Sequence, residues 1–290
     1  MSKIEKRENI FKKAWGHLSL RIGLIGSIIF ALLAIISIFW TPHDITLLNI
    51  SNRFLGPSST HWLGTDFFGR DMLSMLMSGA LTSFIVALIA VSIGLLIGTP
   101  LGLLAASYGG IFEWLVLKGN DFLFAFPAII SAIIITAIFG PSAINAIIAI
   151  GIFNIPVFAR VSRGGALSII SNDYIAAARL SGRNNFNIAF VHILPNIASL
   201  LIVQSSVQLS LGILAEAGLS YVGLGTQPPA TSLGLMLKES QSLFLLHPML
   251  AILPGLTIIA IVLFLNLAGD GLRDALDPRL AKQGALDSAG

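Results

Sequence analysis

Residues 173–196 read DYIAAARLSGRNNFNIAFVHILPN, a polar, arginine-bearing insert between two long apolar runs. The insert is patterned and not merely hydrophilic. Ser171 and Asn172 offer helix-capping oxygens, Ile175 to Leu180 reads as a short alanine-rich helix, and Gly182 breaks it. A second short segment, Asn184 to Val191, leads to Pro195 at the mouth of the next apolar run. Two short helices with a glycine elbow, set on the aqueous face of a membrane protein, make a rigid lever for a soluble partner.

Outward from the insert, the setting is a bilayer. The 290-residue chain is 55% hydrophobic and only 11% charged, where soluble domains carry about a quarter charged residues. A hydrocarbon layer of about 30 Å takes roughly 20 helical residues to cross. Six runs qualify: Ile22–Trp40, Leu81–Ala106, Phe122–Phe139, Ala143–Ala159, Ile193–Ala215 and Met249–Ala268, none holding Lys, Arg, Asp or Glu. They lack the alternation of barrel strands, so helices are the spanning form expected of them. With a cytoplasmic N-terminus, the inside segments hold 14 of the 17 lysines and arginines, and the outside segments hold only Arg53, Arg70 and Lys238. That bias places both termini and the 173–196 insert in the cytoplasm. The basic start followed by an apolar run could pass for a signal peptide. The run is too long for one and ends at Thr41-Pro42 without a small-residue cleavage site, so a retained first helix is expected. Phe11, Trp15 and Leu18 leave a membrane-surface role for the amphipathic start open. The resulting division is 1–78 (cytoplasmic start, first transmembrane helix, external loop), 79–270 (core of five helices with a cytoplasmic loop at about 160–192) and 271–290 (cytoplasmic tail).

Several features carry structural expectations. In the external loop Gly64 and Gly69 suit tight turns, while Asp66, Arg70 and Asp71 can form a charged cluster that fixes it, either for docking on the bundle or for contact with a partner. Ala90, Gly94, Gly98, Gly102 and Ala106 repeat every four residues, a small-residue face for close helix packing or for lining a pathway, and Pro100 can kink that helix. Asn196, Gln204, Gln208, Gly212 and Glu216 share one face of the fifth helix. A polar stripe in lipid must face protein or water, so interhelical hydrogen bonding and a translocation route are both open. The stretch from Gly223 to Pro229 implies a shaped turn, and 266–279 reads as a short charged helix stopped by Pro278. No Gly-x-x-x-x-Gly-Lys-Ser/Thr loop, His-Glu-x-x-His or Gly-x-Ser-x-Gly occurs, so neither ATP hydrolysis by this chain alone nor those hydrolytic chemistries are expected. The histidines at 17, 43, 61, 192 and 247 are scattered over both sides, cysteine is absent, and no metal site or cofactor is expected.

The spacing of Ala177, Ala178, Gly182 and Pro195 resembles the EAA loop of permease subunits of ATP-binding-cassette importers, with Ala176 where the acidic residue stands. Leu63-Gly64-Thr65-Asp66 with Gly69-Arg70-Asp71 resembles the LGTD-x-x-GRD signature of the dipeptide, oligopeptide and nickel branch. Ser107-Tyr108-Gly109-Gly110, Asp121 and Phe126-Pro127 are similar to its GYYGG…D…FP stretch; Glu113 and Lys118 keep the charge signs usual there, so a structural ion pair can survive. Glu216 to Pro229 resembles EA-x-LS-F-LGLG-x-QPP with Tyr221 and Val222 substituted, and Leu233 stands where tryptophan is common, so the loop is expected to pack differently there. Asn266 to Arg279 resembles N-x-x-GD-x-LRD-x-LDPR.

The resemblance is to C-type permeases and implies an all-α fold of six transmembrane helices, the type I importer (methionine-permease-like) core with an extra first helix. It implies a bacterial inner-membrane subunit forming half of a pathway for di- or oligopeptides, with nickel or another small solute as the alternative cargo. Implied partners are a second homologous permease in a heterodimer, two ATP-binding subunits and an external substrate-binding protein, with no nucleic acid. By that resemblance Ala177, Ala178, Gly182, Arg183 and Pro195 couple to the ATPase and no residue is catalytic, while the polar stripe makes Gln204, Gln208 and Glu216 pathway-lining candidates. An ion-coupled secondary transporter would carry ionisable groups within its spans, which the six runs lack; a structural or assembly protein is the remaining class.

Overall fold

Apolar segments in lipid satisfy their backbone as helices. In the computed structural model, which describes residues 17–125 and 128–276, every regular element among the described residues is helical. Helix α1 spans Leu18–Ile36 and α2 spans Met72–Tyr108. Helices α3 (Gly110–Ala125) and α4 (Ala128–Phe139) precede α5 (Ala143–Leu167) and the short α6 (Asp173–Leu180). Helix α7 runs over Asn185–Tyr221, α8 over Leu233–Ser240 and α9 over Met249–Leu276. Five of these, α1, α2, α5, α7 and α9, are long and apolar enough to cross a membrane; a sixth span arises if α3 and α4, bent by 82°, are counted as one.

The span boundaries differ from those expected. The run Phe122–Phe139 is not one straight helix, since α3 ends at Ala125 before Phe126 and Pro127, which lie outside the described residues. A proline disfavours helical backbone at the residue preceding it. Helix α1 lies four residues earlier than its apolar run and leaves Trp40 outside. Helices α5 and α9 continue through charged turns, so residues 266–276 end the last span instead of forming a separate helix, and Pro278 falls outside the described residues. The start of α7 absorbs the segment Asn184–Val191 expected to stand alone, and its other end passes through Glu216. An ionisable group therefore does lie within a span.

Of the four prolines inside long helices, Pro156 and Pro254 interrupt α5 and α9 without a wide turn, whereas the other two sit just beyond one: Pro100 follows the π-helical Gly94–Gly98, and Pro195 follows Ile188–Ile193. A proline removes one N–H donor and crowds the carbonyl four residues back, and a wider turn relieves both problems.

Small residues set the helix crossings. A Cβ added at Gly94 would lie 2.4 Å from Asn154 Cβ, at Gly98 2.3 Å from the Ile155 carbonyl oxygen, and at Gly102 2.1 Å from that of Ala159. The ladder on α2 is therefore a contact face for α5. Helix α1 packs on α9 in the same manner: a Cβ at Gly23 would come 2.2 Å from the Ala268 nitrogen.

At the end of the bundle formed by the loops before α2 and after α7, the expected charged cluster resolves into two. Asp66 Oδ1 accepts from the backbone N–H groups of Phe68 and Arg70, both at 2.8 Å, and Arg70 donates to Asp66 Oδ2 at 2.6 Å and to Glu239 of α8 at 2.8 Å. Gly64 and Gly69 take the positive φ values that the turns require, 80° and 77°. Asp71 instead caps α2, accepting from the Ser74 N–H at 2.9 Å and hydroxyl at 2.7 Å. Burial works to raise the Asp71 carboxyl, but the Ser74 bonds, then His61 and His43, outweigh it and hold it below the usual carboxylate value. Leu233 is fully buried among Met75, Met236 and Leu250, so the smaller side chain fills core at that position. At the other end, Glu113 pairs with Arg163 of α5, and Asp121 with Arg160 at 2.8 Å. Glu113 thus finds its cation on a neighbouring helix.

Candidate coupling surface and cavity

Helix α6 begins after Asn172, whose backbone is extended, and carries Asp173 in its first turn and Arg179 in its last, both favourable to the helix dipole. Its C-terminus closes in a Schellman turn: the Gly182 N–H donates to the Arg179 carbonyl at 3.0 Å and the Arg183 N–H to the Ala178 carbonyl at 3.1 Å. Gly182 has φ of 81°, and a Cβ there would meet nothing within 4 Å. The glycine supplies a backbone angle, not room. Asn184 then caps the start of α7 by accepting from the Asn187 N–H at 2.8 Å.

One side chain of α6 anchors it. Ile175 is fully buried in a cluster with Leu103, Phe158, Ile188 and Ile193, joining α6 to α2, α5 and α7. The opposite surface is open: Leu180 is 91% exposed, Tyr174 44% and Phe186 51%, beside Arg179 and Arg183. Apolar side chains displayed at a charged end of the bundle make this a candidate docking surface. Ala177, Ala178, Gly182 and Arg183 come together at this elbow, with Ala178 half-buried and the others exposed. Pro195 is not with them; it lies inside α7, beyond the wide turn. Sequence reasoning passed over Leu180 and Ile175 as separate roles, although the lone isoleucine in an alanine-rich octapeptide was a readable anchor signal.

The polar face of α7 divides. Gln208 is buried and donates to Asn154 Oδ1 of α5 at 2.8 Å, and both line a largely apolar cavity of about 560 Å³ between α4, α5 and α7, together with Ala132, Phe153, Leu211 and Gly212. Gln204 is half-buried one turn away and is not among the lining residues. Asn196 is exposed and donates to the His192 carbonyl at 2.6 Å. Glu216 is wholly buried and faces α2: Ser83 donates to Oε2 at 2.7 Å and Ser220 to Oε1 at 2.6 Å, with the Thr226 hydroxyl 3.4 Å from Oε1. Asn154 was missed by sequence reasoning, though an amide deep within an apolar run is itself a signal.

Comparison with known proteins agrees with this architecture. Residues 98–282 match the family described as binding-protein-dependent transport system inner membrane component. The chain is 42% identical over 269 residues to the glutathione transport system permease protein GsiD of Pectobacterium atrosepticum, covering 91% of this chain and 88% of the relative. It is also 42% identical over 259 residues to the dipeptide transport system permease protein DppC of Alkalihalophilus pseudofirmus, covering 89% and 85%. Among solved structures, an inward-facing form of the MetNI methionine ABC transporter superposes with a TM-score of 0.59 at 20% identity, covering 71% of this chain and 98% of that one. The helical core is thus that of a type I importer permease. On the family match and these relatives, the chain belongs to the binding-protein-dependent inner membrane components, as an ABC importer permease of the peptide branch.

Proposed function

We propose that this chain is one of two permease subunits of an ATP-driven importer, and that its cargo is a small peptide of the dipeptide or glutathione class. The cargo reading rests on the two relatives, each matched across most of its length. The mechanical reading rests on one observation, the stiff elbow of α6 with Leu180 displayed to solvent beside Arg179 and Arg183. We place that elbow and both termini in the cytoplasm, on the 14-to-3 division of lysine and arginine between the two sides.

In this reading, α6 seats in a groove of a separate ATP-binding subunit, Leu180 and Tyr174 burying apolar surface and Arg179 and Arg183 orienting the fit. The two ATP-binding subunits close on ATP and draw the α6 helices of this chain and a second permease together. Ile175 passes the displacement to α2, α5 and α7 through the buried cluster it shares with Leu103, Phe158, Ile188 and Ile193. The cavity beside Gln208 and Asn154, between α4, α5 and α7, forms this chain's half of the pathway. Its apolar wall with paired amides suits a peptide, whose side chains are varied and whose backbone needs hydrogen-bond partners. Glu216 serves the pathway indirectly, tying α7 to α2. A substrate-binding protein delivers cargo at the opposite end, where the loops of Arg70 and α8 meet.

The test is co-purification at native expression in mild detergent, followed by uptake in proteoliposomes. Recovery of an ATPase and a second permease, loss of the ATPase on Gly182→Val, and uptake of labelled dipeptide or glutathione support the proposal. Recovery of the chain alone refutes the coupling reading, and uptake of Ni²⁺ with no peptide uptake refutes the cargo reading.

A further inference from the structure

The loop before α2 brings together three groups that neither coupling nor transport uses. His61 Nδ1 lies 3.0 Å from Asp71 Oδ1, and His43 Nδ1 lies 3.7 Å from the same oxygen. The two imidazole rings are 4.4 Å apart at their centroids, and one ligating atom from each of the three residues lies within 4.8 Å of the others. Asp71 divides its labour: Oδ2 takes the Ser74 N–H and hydroxyl, and Oδ1 is turned to the histidines. His43 Nδ1 is buried with no hydrogen-bond partner, although the rest of that side chain reaches solvent at 40% exposure. A buried polar atom left unpaired asks for an explanation.

We propose that His43 Nδ1, His61 Nδ1 and Asp71 Oδ1 form a binding site for a divalent transition cation of the Zn²⁺ class. Two imidazole nitrogens and one carboxylate oxygen are the donor set that such a cation takes, and three protein ligands leave a fourth position for water. Bond lengths of about 2.0–2.1 Å put neighbouring ligands of a tetrahedral site roughly 3.4 Å apart. The separations of 3.0 and 3.7 Å fall on either side of that value. The half-exposed edge of His43 supplies both the entry path and the water position. The ligands are also held from outside: the His43 N–H donates to the Ser74 hydroxyl at 3.0 Å, the Thr41 hydroxyl donates to the His43 carbonyl at 2.9 Å, and the His61 N–H donates to the Ser58 hydroxyl at 3.0 Å. Such supporting bonds orient ligands before the metal arrives. A bound cation pins the stretch from 43 to 61 to the residue that caps α2, and so stiffens the end of the bundle opposite α6.

The experiment uses the full chain in detergent, purified without a histidine tag, stripped with EDTA, and titrated with ZnCl₂ by calorimetry at neutral pH. The expected result is one equivalent bound per chain and a rise in unfolding temperature. His43→Ala lowers affinity by at least the 10–100-fold that loss of an outer-shell partner typically costs, and His17→Ala, at the other end of α1, leaves it unchanged. His43 donates no side-chain hydrogen bond to the fold, so its variant is expected to fold; near-native unfolding temperature in EDTA checks this. Absence of saturable Zn²⁺ binding, or binding that survives His43→Ala, overturns the proposal. So does an unfolding temperature that responds to pH but not to Zn²⁺, which would make the three groups a hydrogen-bonded staple.

Discussion

Substitution at Gly182 separates a backbone requirement from a contact requirement. The residue sits at φ of 81°, where a Cβ would meet nothing within 4 Å of this chain. The penalty for a side chain is therefore conformational, about 1–2 kcal/mol for an ordinary L-residue in the left-handed region. Against this stands a weak anchor, because Ile175 is the only buried residue of α6. Full burial of such a side chain contributes about 1.5–3 kcal/mol. A 1–2 kcal/mol penalty is thus a large share of what holds the elbow, and lowers its ordered population by a factor of about 5–30. Asparagine tolerates the left-handed region, alanine less so, and a β-branched residue least. Coupling should therefore fall in the order Gly, Asn, Ala, Val. The assay is ATP hydrolysis stimulated by loaded binding protein in proteoliposomes, with uptake measured in parallel and chain content checked by quantitative blotting. If Gly182→Asn is as damaging as Gly182→Val, the position is crowded by the partner and the backbone argument is wrong. Full activity of Gly182→Ala would refute it equally.

Three further predictions follow from packing. Ile175→Ala removes the anchor of α6 and should cost about 2–5 kcal/mol locally; hydrogen exchange at residues 173–184 should rise sharply while the amides of α5 stay protected. Gly102→Leu places a Cβ 2.1 Å from the Ala159 carbonyl oxygen, so α2 and α5 must part, and the variant should aggregate in size-exclusion chromatography where Gly110→Leu, whose Cβ meets open space, should fare better apart from its strained φ of 59°. Glu216→Gln keeps the shape that Ser83 and Ser220 bond to and should melt near the wild type. Glu216→Leu leaves buried hydroxyls unpaired at about 1–3 kcal/mol each and should lower the unfolding temperature clearly; equal melting of the two variants would show that the carboxylate shape does not matter.

How much of this was legible depended on what kind of force decided each feature. The helical class, five of the six spans and the elbow at Gly182 are set by local chemistry, a run of apolar residues or a glycine after an alanine-rich turn, and were readable directly. The ladder from Ala90 to Ala106 was readable as a close-packing face, but not its partner: only the fold brings Asn154, Ile155 and Ala159 against Gly94, Gly98 and Gly102. Apart from α1, which stops at Ile36 short of Trp40, the spanning helices run on past the C-terminal ends of their apolar runs. Hydropathy stops a span at its first charge, whereas a backbone ladder continues until its end is capped, as α5 does past Pro156 and through Arg160 and Arg163.

Glu216 shows why that distinction matters for function as well as for boundaries. Counted as the residue just beyond an apolar run, it left the spans without an ionisable group, and that absence served as an argument against ion coupling. In the fold it lies wholly buried within α7, so that argument in its first form does not stand. What replaces it is geometry: Ser83 and Ser220 donate to its oxygens, Thr226 lies nearby, and the side chain does not line the cavity beside Gln208. A carboxylate closed in by hydroxyls from α2, α7 and the following loop fastens those elements together. A proton- or ion-carrying group needs contact with the pathway to exchange its charge, and Glu216 is turned away from that cavity. The case for ATP-driven movement therefore rests on the family match and, within the fold, on the exposed elbow at one end of the bundle, which ion coupling would not require.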